Sequence, residues 1–206
     1  MRSPQSVEAL ENLGRVRLSR SFFMRDFLYS EISNFHGVSN IPENPDLAIE
    51  NGKRLCEELI EPLQASFGRI AIRSAYRSPT VNALGNKNGN NCGTNESNYA
   101  GHIWDHLDKG GCRGAMACVA VPWFTDQYDQ GADWRAMAYW IHNHLPYSQL
   151  QFFPRLCAFN IGWHVRPSRS IHSYIEPTGI LLRGEPPNDQ FATYYEDFPS
   201  LVRTDA

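Results

Sequence analysis

At 206 residues, with 42% hydrophobic and 20% charged positions and a net charge of -3, the chain can bury one substantial core and has the make-up of a globular protein, not a disordered or fibrous one. The slightly acidic balance leaves no basic footprint for a nucleic-acid backbone, so no nucleic-acid partner is expected. Met1 to Gly14 holds no apolar run fit for a signal-peptide core, and no later stretch approaches a membrane span; the expectation is a soluble, cytoplasmic protein with no membrane partner.

In chain order, a single domain over 1–206 is predicted, with an N-terminal extension over about 1–18. Asn44-Pro45 opens a helix, Asn as cap and Pro at the first helical position, and an apolar stripe follows at Leu55, Leu59, Leu63 and Phe67. Pro62 predicts a kink in it, and Gly68 a stop. Residues 69–74 alternate apolar and polar as a half-buried strand. Residues 79–102 are dense in Asn and Gly and read as a loop without regular structure. Met116 to Val121 reads as a short buried strand. Asp133 can cap a helix whose apolar face is Trp134, Met137, Ala138, Ile141 and Leu145. Strands are predicted near 147–153, 158–166, 170–176 and 178–183, and residues 184–206, with Pro186-Pro187, read as an extended surface tail. Helices first and strands last give an α+β fold with a mainly antiparallel sheet and flanking helices.

The five cysteines, at 56, 92, 112, 118 and 157, cannot all pair with each other. Free thiols or a metal ligand are expected, with a Cys92–Cys112 bridge as the alternative.

Three segments carry a resemblance. Arg73-Ser-Ala-Tyr-Arg-Ser-Pro-Thr-Val-Asn82 followed by Tyr99-Ala-Gly-His102, then Gly114-Ala-Met-Ala-Cys118-Val-Ala-Val-Pro122, then Tyr147-Ser-Gln-Leu-Gln-Phe-Phe-Pro154 followed by Gly162-Trp-His-Val165, are together similar to the motifs of the peptidase M15 family, the zinc D-Ala-D-Ala carboxypeptidases. The resemblance spans roughly residues 20 to 166 and implies a Hedgehog/DD-peptidase-like fold. Position for position it implies Zn2+ held by His102, Cys118 and His164, with Cys118 where the family has Asp. Two imidazoles and a thiolate satisfy the ligand count of a catalytic zinc, with the fourth position left to water, although a thiolate makes the metal a weaker Lewis acid.

The sequence departs from the family twice. The spacing from His102 to Cys118 is wider than the family's, and the extra residues offer Asp105 and His106, with Asp108 and Cys112, as reserve ligands. The family's acid shortly before the last His is missing, since residues 147–163 contain neither Asp nor Glu. Asp105, His106, Asp108 and His172 are the substitutes considered for proton transfer, His172 being attractive as a residue on the strand after His164. Arg77 matches the family's arginine, which grips a substrate carboxylate through charge-assisted hydrogen bonds, and Arg73 can assist. Tyr76 and Ser78 would shape the turn beside it.

The expectation is a zinc-dependent hydrolase that cleaves a small peptide or amide with a free carboxylate, peptidoglycan-derived fragments among them. The alternatives are a metal-binding pseudoenzyme that keeps the pocket for recognition, and an acyl-transfer enzyme with Cys118 as nucleophile.

Overall fold

The computed structural model describes residues 1–203, so the last three positions of the 184–206 tail lie outside the described residues. Three short helices open the chain: α1 (Val7–Gly14), α2 (Arg25–Leu28) and α3 (Glu31–His36). None was legible as a core element, and α3 has no buried residue.

The capped helix starts as predicted. In α4 (Pro45–Leu55) the Asn44 side chain accepts from the Leu47 N–H, with Pro45 in the first turn. The run then widens into a π turn, Cys56–Ile60, before α5 (Glu61–Phe67). Pro62 explains the widening, because a proline inside a helix has no N–H to give and its ring presses on the preceding turn. Gly68, at φ 79°, ends the run.

Strand β1 (Ala71–Ser74) follows, shorter than the predicted 69–74. The expected loop over 79–102 is corrected: it contains α6 (Pro79–Lys87) and α7 (Asn95–Asn98). Both begin at hydroxyl caps, with Ser78 Oγ accepting from Val81 N–H and Thr94 Oγ1 from Ser97 N–H. The Ser-Pro and Thr-Asn starts carried that signal, and the abundance of Asn masked it.

The rest is β2 (Gly114–Ala120), α8 (Pro122–Asp129), α9 (Arg135–His144), β3 (Gln149–Phe152), β4 (Phe159–His164), β5 (Ser170–Ser173) and β6 (Gly179–Arg183). The strands form one six-stranded sheet in the order β1-β2-β4-β3-β5-β6. Every pairing is antiparallel except β3 with β5.

Strand alternation divides the sheet into two faces. Ala115, Ala117 and Val119 of β2, Leu150 and Phe152 of β3, Phe159, Ile161 and Trp163 of β4 and Ile171 of β5 are buried in the core with Leu55, Leu59 and Leu63. Trp163 Nε1 donates to Glu58 Oε2 at 3.0 Å, pinning β4 to the helical run. The other face carries Met116, Cys118, Gln149, Gln151, Asn160 and His164, and it floors a cavity.

The described part of the tail packs on α5, α8 and α9. Phe198 packs edge-on against Phe67, Trp123 and Phe124. Trp140 Nε1 donates to the Pro199 carbonyl at 2.9 Å.

Candidate functional site

The cavity has a volume of about 1170 Å³ and opens over β1, β2, β4 and β3, with the 90–108 segment as its opposite wall. Its floor follows from sheet register. Ser74 pairs with Cys118, Cys118 with Asn160, Asn160 with Gln151, and Gln151 with His172. The five form one row across the strands, and cross-strand neighbours in such a row have Cβ atoms about 5 Å apart. The first four line the cavity. Asn160 Nδ2 donates to Gln151 Oε1 at 2.9 Å, which locks the centre of the row.

His102 is buried beside this row, in reach of the Asn160 side chain. Its Nδ1 lies 2.7 Å from the Ala75 carbonyl, so Nδ1 carries the proton and Nε2 is left as an acceptor. Burial, then the charge of Arg77, holds its pKa down to about 3, with the Ala75 carbonyl and the Asn160 side chain opposing. The imidazole is therefore neutral at physiological pH. Burial likewise pushes the Cys118 thiol up to about 11 against the pull of Arg73 and Arg77, which leaves it protonated and poorly nucleophilic.

His164 is elsewhere. It pairs with Gly114, four residues along the ladder from the Cys118–Asn160 pair, or about 13 Å at the rise of a strand. Zinc ligands stand within about 2.0–2.3 Å of the metal, so Cys118 and His164 cannot share one ion in this register. His164 is also engaged: its Nε2 donates to Asp108 Oδ2 at 3.1 Å and its Nδ1 accepts the Arg166 N–H at 3.0 Å. Among the described residues no group of three or more His, Cys, Asp and Glu side chains is placed to hold a metal ion. His102, Cys118 and His164 all line the cavity, yet they do not form the expected ligand set, and the donors present do not fit a three-ligand Zn2+ site.

The reserve residues have structural tasks. The Asp105 carboxylate, fully buried, accepts the Glu43 and Asn44 N–H groups at 2.8 and 3.3 Å and so ties the loop to the start of α4. His106 stacks on Tyr99 with ring centroids 4.9 Å apart and reaches Asp105. His172 stands three strands from Cys118, with its ring edge-on to Tyr174. None of the three lines the cavity, so the structure does not bring the expected proton carriers Asp105, His106 and His172 to it. Asp108 does line it, but its Oδ1 accepts the Gly110 and Cys112 N–H groups at 2.8 Å each. Those bonds, Cys112 first, and His164 hold its carboxyl below the usual range. All five cysteines are free, Cys92 and Cys112 included.

The residues expected to grip a carboxylate divide in the same way. Tyr76 is buried in the core with its ring edge-on to Trp104, and Ser78 caps α6 and accepts nothing from the cavity. Arg77 lines the cavity at 8% exposure. Its Nη1 donates to Cys92 Sγ at 2.6 Å, its Nε has no partner, and no carboxylate pairs with it among the described residues. Burial lowers its pKa, countered by Cys92 and Cys118. A guanidinium stays charged even so. Arg73, exposed, lines the cavity on the same side.

Asn160 was missed by sequence reasoning, although strand alternation places it on the face of His164 and four residues nearer to the start of β4. The chain is an α+β protein with an open, mostly antiparallel six-stranded sheet and flanking helices. No family model, no curated protein and no solved structure matches it.

Proposed function

We propose that this chain is a recognition module that captures a small peptide or amide through its free carboxylate. The observation that carries the reading is Arg77, a nearly buried guanidinium that lines the cavity, with its Nε buried and unpartnered and no acid partner among the described residues. Burying an unpaired charge is expensive, and a ligand carboxylate is the group that would offset the cost with charge-assisted hydrogen bonds. The neutral row of Ser74, Cys118, Asn160 and Gln151 supplies donors and acceptors for an uncharged amide beside that carboxylate.

The test is calorimetric titration with N-acetyl-D-alanyl-D-alanine and with its C-terminal amide. The acid should bind about tenfold or more tighter than the amide, and Arg77→Gln should erase the difference. Equal affinities for acid and amide in the wild type would overturn the reading.

A zinc hydrolase of the D-Ala-D-Ala carboxypeptidase type is the second reading, favoured by His102. Its Nδ1 bond to a backbone carbonyl turns Nε2 towards the Asn160 side chain and the floor of the cavity, the orientation of a metal-ligating histidine. The register of His164 and the absence of a free acid in the cavity weigh against it. Metal content by plasma mass spectrometry on untagged protein decides: about one zinc per chain, lost in Cys118→Ala, would restore the hydrolase, and substoichiometric zinc would remove it. The acyl-transfer alternative needs a low-pKa thiol, and Cys118 is shifted the other way.

A further inference from the structure

Charge in this molecule is unevenly distributed. The whole chain is net acidic at -3, yet four arginines, Arg73, Arg77, Arg155 and Arg166, line one cavity. None of the four guanidinium groups has a salt bridge among the described residues, and Arg73, Arg155 and Arg166 make no side-chain hydrogen bond there. Among the described residues the one acid lining the cavity is Asp108, and it is spent on His164 and on the Gly110 and Cys112 N–H groups.

The four are spread out. Arg73 and Arg77 flank Ser74, which pairs with Cys118, so they share one side of the floor. Arg155 lies in the turn between β3 and β4, beyond the Asn160–Gln151 pair. Arg166 follows His164 at the opposite end, more than about 13 Å from the Cys118 row. A single carboxylate at Arg77 leaves at least two guanidinium groups without a counter-charge. Field lines from like charges in a concave, low-dielectric wall concentrate in the cavity and raise the local anion concentration.

We infer that the ligand is at least dianionic: beyond the carboxylate at Arg77 it carries a second acidic group, carboxylate or phosphate, that Arg155 or Arg166 receives. This rests on the proposed carboxylate recognition for the first charge only. Both outer arginines are exposed, so the second contact acts at long range and is sensitive to salt. Arg77, being buried, is the fixed end of the ligand, and the outer arginines select for charge at the other end.

The experiment compares N-acetyl-D-alanyl-D-alanine with N-acetyl-D-glutamyl-D-alanine, which adds one side-chain carboxylate to the same C-terminal group, and with inorganic pyrophosphate. In low salt the dianionic peptide should bind about tenfold tighter than the monoanionic one, and the gap should shrink as salt is raised. Either Arg155→Ala or Arg166→Ala should close the gap, costing the dianionic peptide about tenfold and the monoanionic peptide only the smaller, salt-sensitive share of the common field. Tighter binding of pyrophosphate than of the dianionic peptide, lost in the same variant, would assign the second group as phosphate. Equal affinity of the two peptides together with no binding of pyrophosphate, or a gap that survives both substitutions, would overturn the inference. The readout is separate from that of the carboxylate itself: if the acid and amide of alanyl-alanine bind alike but the charge gap persists, the Arg77 reading fails and the second site stands.

Discussion

Cys118 faces Asn160 across the β2–β4 ladder, while His164 faces Gly114 four positions away. Cross-strand partners are about 5 Å apart, so the residue of β4 able to share a ligand with Cys118 is Asn160, with Ser74 on its other side. An amide side chain is a poor zinc donor beside a neutral imidazole and a protonated thiol.

Replacing that amide tests the register. Asn160→His would put imidazole beside His102 and Cys118, and the variant should take up about one zinc per chain where the wild type takes up little. Adding Cys118→Ser to the variant should remove it. Stoichiometric zinc in the wild type, or none in Asn160→His, measured by plasma mass spectrometry, would refute the placement of the row.

The two arginines of the floor should behave differently. Arg77 is nearly buried and Arg73 exposed, so water screens Arg73 more. Titration with the acid probe should show Arg77→Gln losing about tenfold or more in affinity and Arg73→Gln only about twofold to threefold. The reverse order would place the carboxylate at Arg73.

Acid should destabilise the fold through His102. Its folded pKa, about 3, lies below its ordinary value of 6.5, so between those values the unfolded chain binds a proton that the folded chain does not. Stability is therefore undiminished above about pH 6.5 and falls as pH drops towards 3, by on the order of a few kcal/mol. His142, whose pKa burial also lowers, adds in the same direction. Urea denaturation across this range should show a shallower fall for His102→Gln than for the wild type. Parallel curves would show that His102 takes a proton in the folded state.

Gly114 tests how closely the 100–108 segment seats on the sheet. A Cβ there would overlap the Ala100 carbonyl oxygen and stand 2.9 Å from that of Trp163. Both are backbone atoms with little room to give, so Gly114→Ala should cost about 2 kcal/mol or more. Gly89→Ala meets no neighbour and carries only the strain of φ +70°, and should cost about 1 kcal/mol. Thermal unfolding of the two variants gives the comparison.

The tail can be tested by proteolysis. Phe198 fills a nest of Phe67, Trp123 and Phe124, so Phe198→Ala should cost about 2–3 kcal/mol locally and speed cleavage within 184–203. An unchanged digestion pattern would mean that the other anchors, the Trp140–Pro199 bond, the Asn143–Asn188 bonds and the Tyr139–Phe191 stack, hold the tail without Phe198.

The sequence by itself determined the elements with a strong local signature. Asn44-Pro45 capped its helix, the stripe from Leu55 to Phe67 buried it, and the four late strands fell within one to three residues of their predicted bounds. The resemblance of their motifs grouped Arg77 and His102 with Cys118 and His164, and all four line the cavity. The α6 and α7 helices escaped it because abundant Asn and Gly masked two local hydroxyl caps. What only the tertiary structure decided was the pairing of β2 with β4. Strand alternation puts Asn160 and His164 on the same face, and it says nothing about which of them stands opposite Cys118. Register is set by the packing of Phe159, Ile161 and Trp163 against Leu55, Leu59 and the Glu58 anchor. A shift of four residues would have kept every side chain on its face and exchanged an asparagine for a histidine at the centre of the site.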